Sequence, residues 1–203
     1  MKVFKIASPN ACNSYVVTED GKTAVVIDCG EAGVYQKVLK MNLKPVAVLL
    51  THGHFDHVGG AGEFFSAGVP IYCGEAEKDF IFSAENRGIF GGVYIPDFEI
   101  VKTFKDGEEV DAAGIKFTVL QTSGHTAGSV CYIAENIIFS GDTLFRGSIG
   151  RTDLPTGNYF EIKESVKKLY ALKGDYKIYC GHGEETSLGY ERKYNAFIRG
   201  EDA

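Results

Sequence analysis

Apolar residues along this chain fall into two rhythms, one of period two and one near 3.6. Val3 to Ile6, Ser14 to Thr18 and Thr23 to Asp28 read as short strands, the last two joined through Asp20-Gly21, a hairpin-turn pair. Val34, Val38 and Met41, with Tyr35 and Leu39 beside them, follow helical spacing until Pro45 ends the pattern. Val46 to Leu50 is then a continuous apolar run of buried-strand length. Ala61, Phe64 and Phe65 predict a helix closed by Gly68, followed by a short strand at Ile71 and a helix over 75–82.

The stretch 83–98 breaks both rhythms. Gly88, Gly91, Gly92 and Pro96 stand among Phe90, Tyr94 and Phe98, which predicts a long ordered loop, a class of segment that often carries function. Strand patterns resume at Glu99 to Thr103, Ile115 to Gln121, Ser129 to Ala134 and Ile137 to Ser140, with Glu135-Asn136 as a tight turn. A helix starting near Asn158 has Glu161 in capping-box position and sets Ile162, Val166, Leu169 and Tyr170 on one face. Tyr176 to Cys180 is the last predicted strand and Tyr190 to Ile198 the last helix. Strands in succession followed by helices, twice over, predict two sheets packed face to face with helices outside, an α+β arrangement.

Length and composition narrow this picture. At 203 residues with 44% apolar and 24% charged residues, one globular domain over 1–203 is expected. A net charge of −6 and the lack of a dense Lys/Arg run speak against nucleic acid or anionic membrane as a partner. No apolar signal region follows Met1, so a cytoplasmic location is expected. Cys12, Cys29, Cys73, Cys131 and Cys180 are odd in number and widely spaced, which predicts reduced core residues rather than disulfides or a thiolate metal site.

The candidate chemistry lies in the histidines. The chain has five, and His52, His54 and His57 fall within Thr51-His52-Gly53-His54-Phe55-Asp56-His57, directly after the strand ending at Leu50. In extended backbone, His52 and His54 point to one side and can meet one ion, while a turn at Phe55 sends Asp56 and His57 toward a second point. His125, Asp142 and His182 likewise follow the strands ending at Gln121, Ser140 and Cys180, each beside glycines. If these strand ends share an edge, five imidazoles and two carboxylates meet in one cleft, enough for two metal ions with open positions. Such N/O donors suit zinc, iron or manganese.

The series from Thr51 to Gly60, with Gly124-His125-Thr126, Gly141-Asp142-Thr143 and Gly181-His182-Gly183, resembles that of the metallo-β-lactamase superfamily. Phe139 to Phe145 and Gly150-Arg151-Thr152-Asp153 are most similar to the branch containing glyoxalase II, or hydroxyacylglutathione hydrolase. The resemblance implies a four-layer αββα sandwich of two mixed sheets. It implies His52, His54 and His125 on one metal, Asp56, His57 and His182 on the other, and Asp142 bridging both. Asp28 matches a supporting aspartate that orients the His loop, although a strand-end turn residue is the plainer reading of it.

The expected chemistry is hydrolysis of a small acyl thioester or ester by a hydroxide bridging two divalent ions, zinc by preference, with Asp56 as ligand and orienting group. A leaving thiol of pKa about 8.5 departs with little help, which favours thioesters over amides. Long-form glyoxalase II enzymes carry a C-terminal helical domain with glutathione contacts, whereas this chain ends soon after His182. The resemblance therefore points to thioester hydrolysis more than to one acyl donor. Arg146 and Arg151 are candidates to meet a substrate carboxylate, or Arg151 pairs with Asp153; Arg87, Phe90 and Tyr94 are candidates for a pocket wall. The alternatives are a lactonase or esterase of the same fold and an iron-dependent oxidoreductase like the persulfide dioxygenases. A β-lactamase is disfavoured by Asp142, where the broad-spectrum zinc enzymes have cysteine.

Overall fold

A computed structural model describes residues 1–198. The first sheet has the order β1 (Lys2–Ile6), β2 (Ser14–Thr18), β3 (Thr23–Ile27), β4 (Lys44–Leu49), β5 (Ile71–Gly74), β6 (Ile100–Phe104). Its first pairs are antiparallel and those from β3 onward parallel. Between its parallel strands lie α1 (Val34–Lys40), α2 (Phe55–Val58), α3 (Ala61–Ser66), α4 (Lys78–Ile81) and α5 (Ala84–Arg87).

The second sheet contains β7 (Glu109–Ala112), β8 (Ile115–Gln121), β9 (Val130–Ala134), β10 (Ile137–Gly141), β13 (Lys177–Cys180) and β14 (Thr186–Ser187). A small hairpin, β11 (Leu144–Phe145) and β12 (Ser148–Ile149), leaves its edge, and α6 (Tyr159–Tyr170) and α7 (Leu188–Tyr194) cover its outer face. Both sheets are mixed, as expected.

Alternation along the strands divides the apolar residues among three cores. In β3, Val25 and Ile27 face the second sheet while Ala24 and Val26 face the helices of the first. In β10, Phe139 enters the layer between the sheets and Ile138 packs under α6 with Ile162, Val166 and Leu169. These are the layers of an αββα sandwich. Asn158 caps α6 by accepting from the backbone N–H groups of Phe160 and Glu161, as the capping-box pattern predicts.

Several local expectations need correction. The predicted loop 83–98 holds α5 and a 3-10 turn at Ile89–Gly91, because Ser83 accepts from Asn86 N–H and caps a short turn that sequence periodicity cannot detect. The last helix runs Leu188–Tyr194, not Tyr190–Ile198, since Ser187 caps it early. Pro45 lies inside β4 rather than before it, beside a register shift at the strand's start, where a missing N–H is tolerated. β7, β11, β12 and β14 were not anticipated, being short or polar.

Topology then fixes where the strand ends point. β8 is antiparallel to β9, β9 to β10, and β10 is parallel to β13, so β8, β10 and β13 all run the same way. Their C-terminal ends share one edge, and Val130 N–H donating to Thr51 O (2.9 Å) and Tyr132 Oη to Leu50 O (2.9 Å) tie that edge to the end of β4.

Phe139 stacks on Tyr179 at 5.5 Å and meets Tyr15 and Phe117 between the sheets. Phe139→Ala should cost about 3–5 kcal/mol. Urea unfolding should show a lower midpoint with an unchanged slope; an unshifted midpoint would mean that the layer between the sheets closes over the gap.

Candidate metal centre

The seven sequence-predicted ligands arrive from four strand ends, those of β4, β8, β10 and β13, and all seven meet. His52 and His54 leave β4 in extended backbone, and α2 then turns Asp56 and His57 toward the neighbouring point. One nitrogen each from His52, His54 and His125 lie within 4.8 Å of one another. The same holds for the donors of Asp56, His57 and His182. Asp142 stands between the groups: Oδ1 is 3.3 Å from His57 Nε2, and Oδ2 is 3.5 Å from both His125 Nε2 and His182 Nε2.

Hydrogen bonds on the far side of the rings decide which nitrogen faces inward. His57 Nδ1 donates to Asp28 Oδ2 (2.8 Å), and His125 Nδ1 donates to the Arg151 carbonyl (2.7 Å). Thr51 Oγ1 gives its proton to Asp28 Oδ2 (2.8 Å) and so accepts from His52 Nδ1 (3.1 Å). Three rings therefore turn their Nε2 atoms toward the centre, and His54 Nδ1 lies 2.9 Å from His125 Nε2. Buried His52 Nε2, His57 Nε2 and Asp142 Oδ1 have no hydrogen-bond partner. Lone pairs and carboxylate oxygens crowded at such distances repel one another unless a cation stands among them. The donor set thus fits two metal ions, and the backing bonds are those that metal-bound histidines use to fix their rings.

Without a cation, protons fill part of this role. Burial pushes His52 well below its ordinary pKa and His54 down to about 3. Burial also opposes a proton on His57, but Cys12, Asp142 and Asp28 outweigh it and hold that imidazole well above the usual range. The bond to Asp56 raises His182. Burial likewise opposes charge on Asp142, yet His57 and the neighbouring imidazoles hold it well below the usual carboxylate range.

Asp28 binds through backing bonds, as the resemblance implies: its Oδ1 accepts from Thr51 N–H at 2.7 Å. The plainer reading also holds, because Asp28 sits at the end of β3 with a left-handed φ of 55°. The five cysteines are all free and buried.

Sequence reasoning missed the supports behind the loops. Glu77, fully buried, accepts from Gly53 N–H (2.7 Å) and Thr126 Oγ1 (2.9 Å), so it joins the His52–His57 loop to the His125 loop. Burial pushes its carboxyl up to about 7. Asn86 donates to the carbonyls of Gly53 (2.7 Å) and Ile81 (3.0 Å). No spacing rule connects either residue to the histidines. Two glycines beside the ligands are there for close approach: a Cβ on Gly181 would lie 2.1 Å from Asp142 Oδ1, and one on Gly150 would lie 1.8 Å from Asp142 O. Gly150 thereby brings the Arg151 carbonyl to His125, a role of the Gly-Arg-Thr-Asp segment that rests on backbone. Arg151 pairs with Asp153 through two bonds of 2.8 Å, and Arg146 with Glu184 at 3.0 Å.

The centre forms the floor of a 420 Å³ cavity. Ile89 is the only residue that the 83–98 loop contributes to its described lining, which includes neither Arg87 nor Tyr94, the latter 81% exposed. The side chain of Phe90 lies outside the described part of the structure. Among the described residues no helix is long and apolar enough to cross a membrane.

Fold and site together define a class. Residues 7–182 match the model of the metallo-β-lactamase superfamily, and the chain belongs to that superfamily. It is 37% identical to hydroxyacylglutathione hydrolase GloC of Haemophilus influenzae, with 92% of each chain covered. Among solved structures, it is similar to BLEG-1 B3 metallo-β-lactamase (TM-score 0.86, 31% identity, 97% of this chain and 99% of that one). It is also similar to TTHA1623 in a di-iron-bound form (TM-score 0.85, 31% identity, 97% and 100% covered).

Two outcomes follow from this geometry. Gly150→Ala should displace the Arg151 carbonyl and release His125, lowering bound metal by elemental analysis in a chain that still folds by circular dichroism; full metal content would show that the segment yields freely. Because His57 is held well above the usual imidazole range and His182 is raised, a metal must displace protons that these rings hold more firmly than a free imidazole does. Affinity measured by chelator competition should therefore rise with pH, about tenfold per unit for each proton released. A flat response between pH 6 and 8 would contradict the assignment of these two imidazoles.

Proposed function

We propose that the chain is a binuclear metal-dependent hydrolase, a thioesterase of glyoxalase II type acting on S-(2-hydroxyacyl)glutathione or a similar thioester. The observation that carries this reading is two inward-facing ligand triads with one carboxylate between them, on the floor of an open cavity. His52, His54 and His125 would hold one ion and Asp56, His57 and His182 the other, with Asp142 shared. Zinc is the assigned ion on donor type; similarity to a di-iron-bound structure makes iron the second candidate and manganese the third.

When bound, two such ions supply a water that deprotonates near neutral pH and positive charge for a developing oxyanion. The chain's own residues do the rest. Asp56 lines the cavity, and although burial opposes its charge, His182 (3.1 Å) and His57 hold its carboxyl below the usual range; with an ion in place of the His182 proton it would stay ionised, able to accept a proton from the attacking water and aim it. Asp28, Thr51 and the Arg151 carbonyl keep the imidazoles from turning.

Among the described residues, the cavity lining holds no lysine, no tyrosine and no histidine outside the ligand set. An amine leaving group would lack an obvious proton donor, whereas a thiolate of pKa about 8.5 leaves unaided. This favours thioesters, with esters and lactones next.

Thiol release from S-lactoylglutathione tests the reading. Metal-loaded protein should turn over at a rate within about 1–10³ s⁻¹. Chelator should abolish release, and Asp56→Asn should lower it about 10²-fold or more. Nitrocefin hydrolysis without thiol release would favour the activity that the BLEG-1 name carries, and oxygen uptake on a glutathione persulfide would favour an iron oxidoreductase.

A further inference from the structure

Above its polar floor the cavity is walled mainly by carbon, with Ser148 and Arg151 the polar side chains among the described wall residues. Phe55 and Ile89 come from the first half of the chain, Phe145, Ile149 and Leu154 from the second, and Ile89 and Ile149 are themselves buried. The volume of 420 Å³ falls within the range of small-molecule sites. A substrate whose carbonyl reaches the floor must lay its remaining atoms against these side chains, and a buried methylene gains free energy there while a buried charge loses it.

The cations near the mouth are already matched. Arg151, the one Lys or Arg among the described lining residues, holds both carboxylate oxygens of Asp153 at 2.8 Å. Arg146, next to Phe145, is bound to Glu184 and lies over the Tyr190 ring. A thiol half bearing two carboxylates, as glutathione does, would have to displace Asp153 or Glu184 from its partner.

We infer that this enzyme selects its substrate by an uncharged, apolar acyl group seated against Phe55, Ile89, Phe145, Ile149 and Leu154, and discriminates little among thiols. The inference rests on the thioesterase reading for its catalytic half, but the pocket's preference is measurable without turnover.

Two series of measurements test this together. Acetyl, butyryl and hexanoyl thioesters of glutathione and of N-acetylcysteamine, a neutral thiol, are assayed with metal-loaded protein. In parallel, calorimetry measures binding of the S-methyl and S-hexyl thioethers of both thiols, which cannot be hydrolysed. In the assay, kcat/KM should rise by up to about fourfold per added methylene until the cavity is filled. The two thiols should agree within about threefold at equal acyl length, and S-hexyl thioethers should bind far tighter than S-methyl ones on either thiol. Leu154→Asp, at a partly exposed wall position, should flatten the rise with chain length. A tenfold or greater preference for glutathione, or a fall with chain length, in either series would overturn the inference. Chain-length-dependent binding with no thiol release from any thioester would instead sink the thioesterase reading and leave the apolar pocket standing.

Discussion

The carboxylate of Asp28 is the constraint on which this centre depends. It receives Thr51 N–H and Thr51 Oγ1 from the end of β4 and His57 Nδ1 from α2, and it is buried at a positive φ that few residues tolerate. Through these bonds one side chain sets the exit of the ligand loop, the tautomer of His57 and, by way of Thr51, that of His52. A neutral amide there would turn an NH2 donor toward one or two of the three donors that the carboxylate receives.

From this anchor the electrostatics of the site follow. Rings fixed from behind cannot turn their Nε2 atoms away from Asp142, and burial denies His52, His57 and His125 water. The fold therefore assembles a negative, lone-pair-rich pocket whose cost a divalent cation offsets. Glu77 and Asn86 grip the Gly53 backbone from the opposite side, so the ligand loop is held by hydrogen bonds on both faces. Metal binding and local stability should consequently be coupled, since any ion bound only by the folded chain stabilises it.

How much of this could be read from the sequence depends on whether the signal was local. Strands with strong alternation or continuous apolar runs, such as β3, β4 and β10, announced themselves, and the ligands were visible because rare residue types cluster at strand ends beside glycines. The packing of two sheets with helices outside followed from element order. β7, Glu-Val-Asp-Ala, is too polar and short to signal a strand, and α5 depends on one capping serine. Glu77 and Asn86 act through tertiary contacts, and the Arg151 carbonyl acts through backbone, which no side-chain pattern encodes. The cavity wall was hidden for another reason: Ile89, Ile149 and Leu154 look like core residues until the fold leaves space beside them.

The clustered donors are suited to two cation sites that would share Asp142. Elemental analysis of protein purified without added metal, compared with Asp142→Ala, tests this most directly. Two transition-metal ions per chain, with loss from both positions in the variant, is the predicted result. One ion or none in the native chain, or a variant that keeps its full complement, would contradict it.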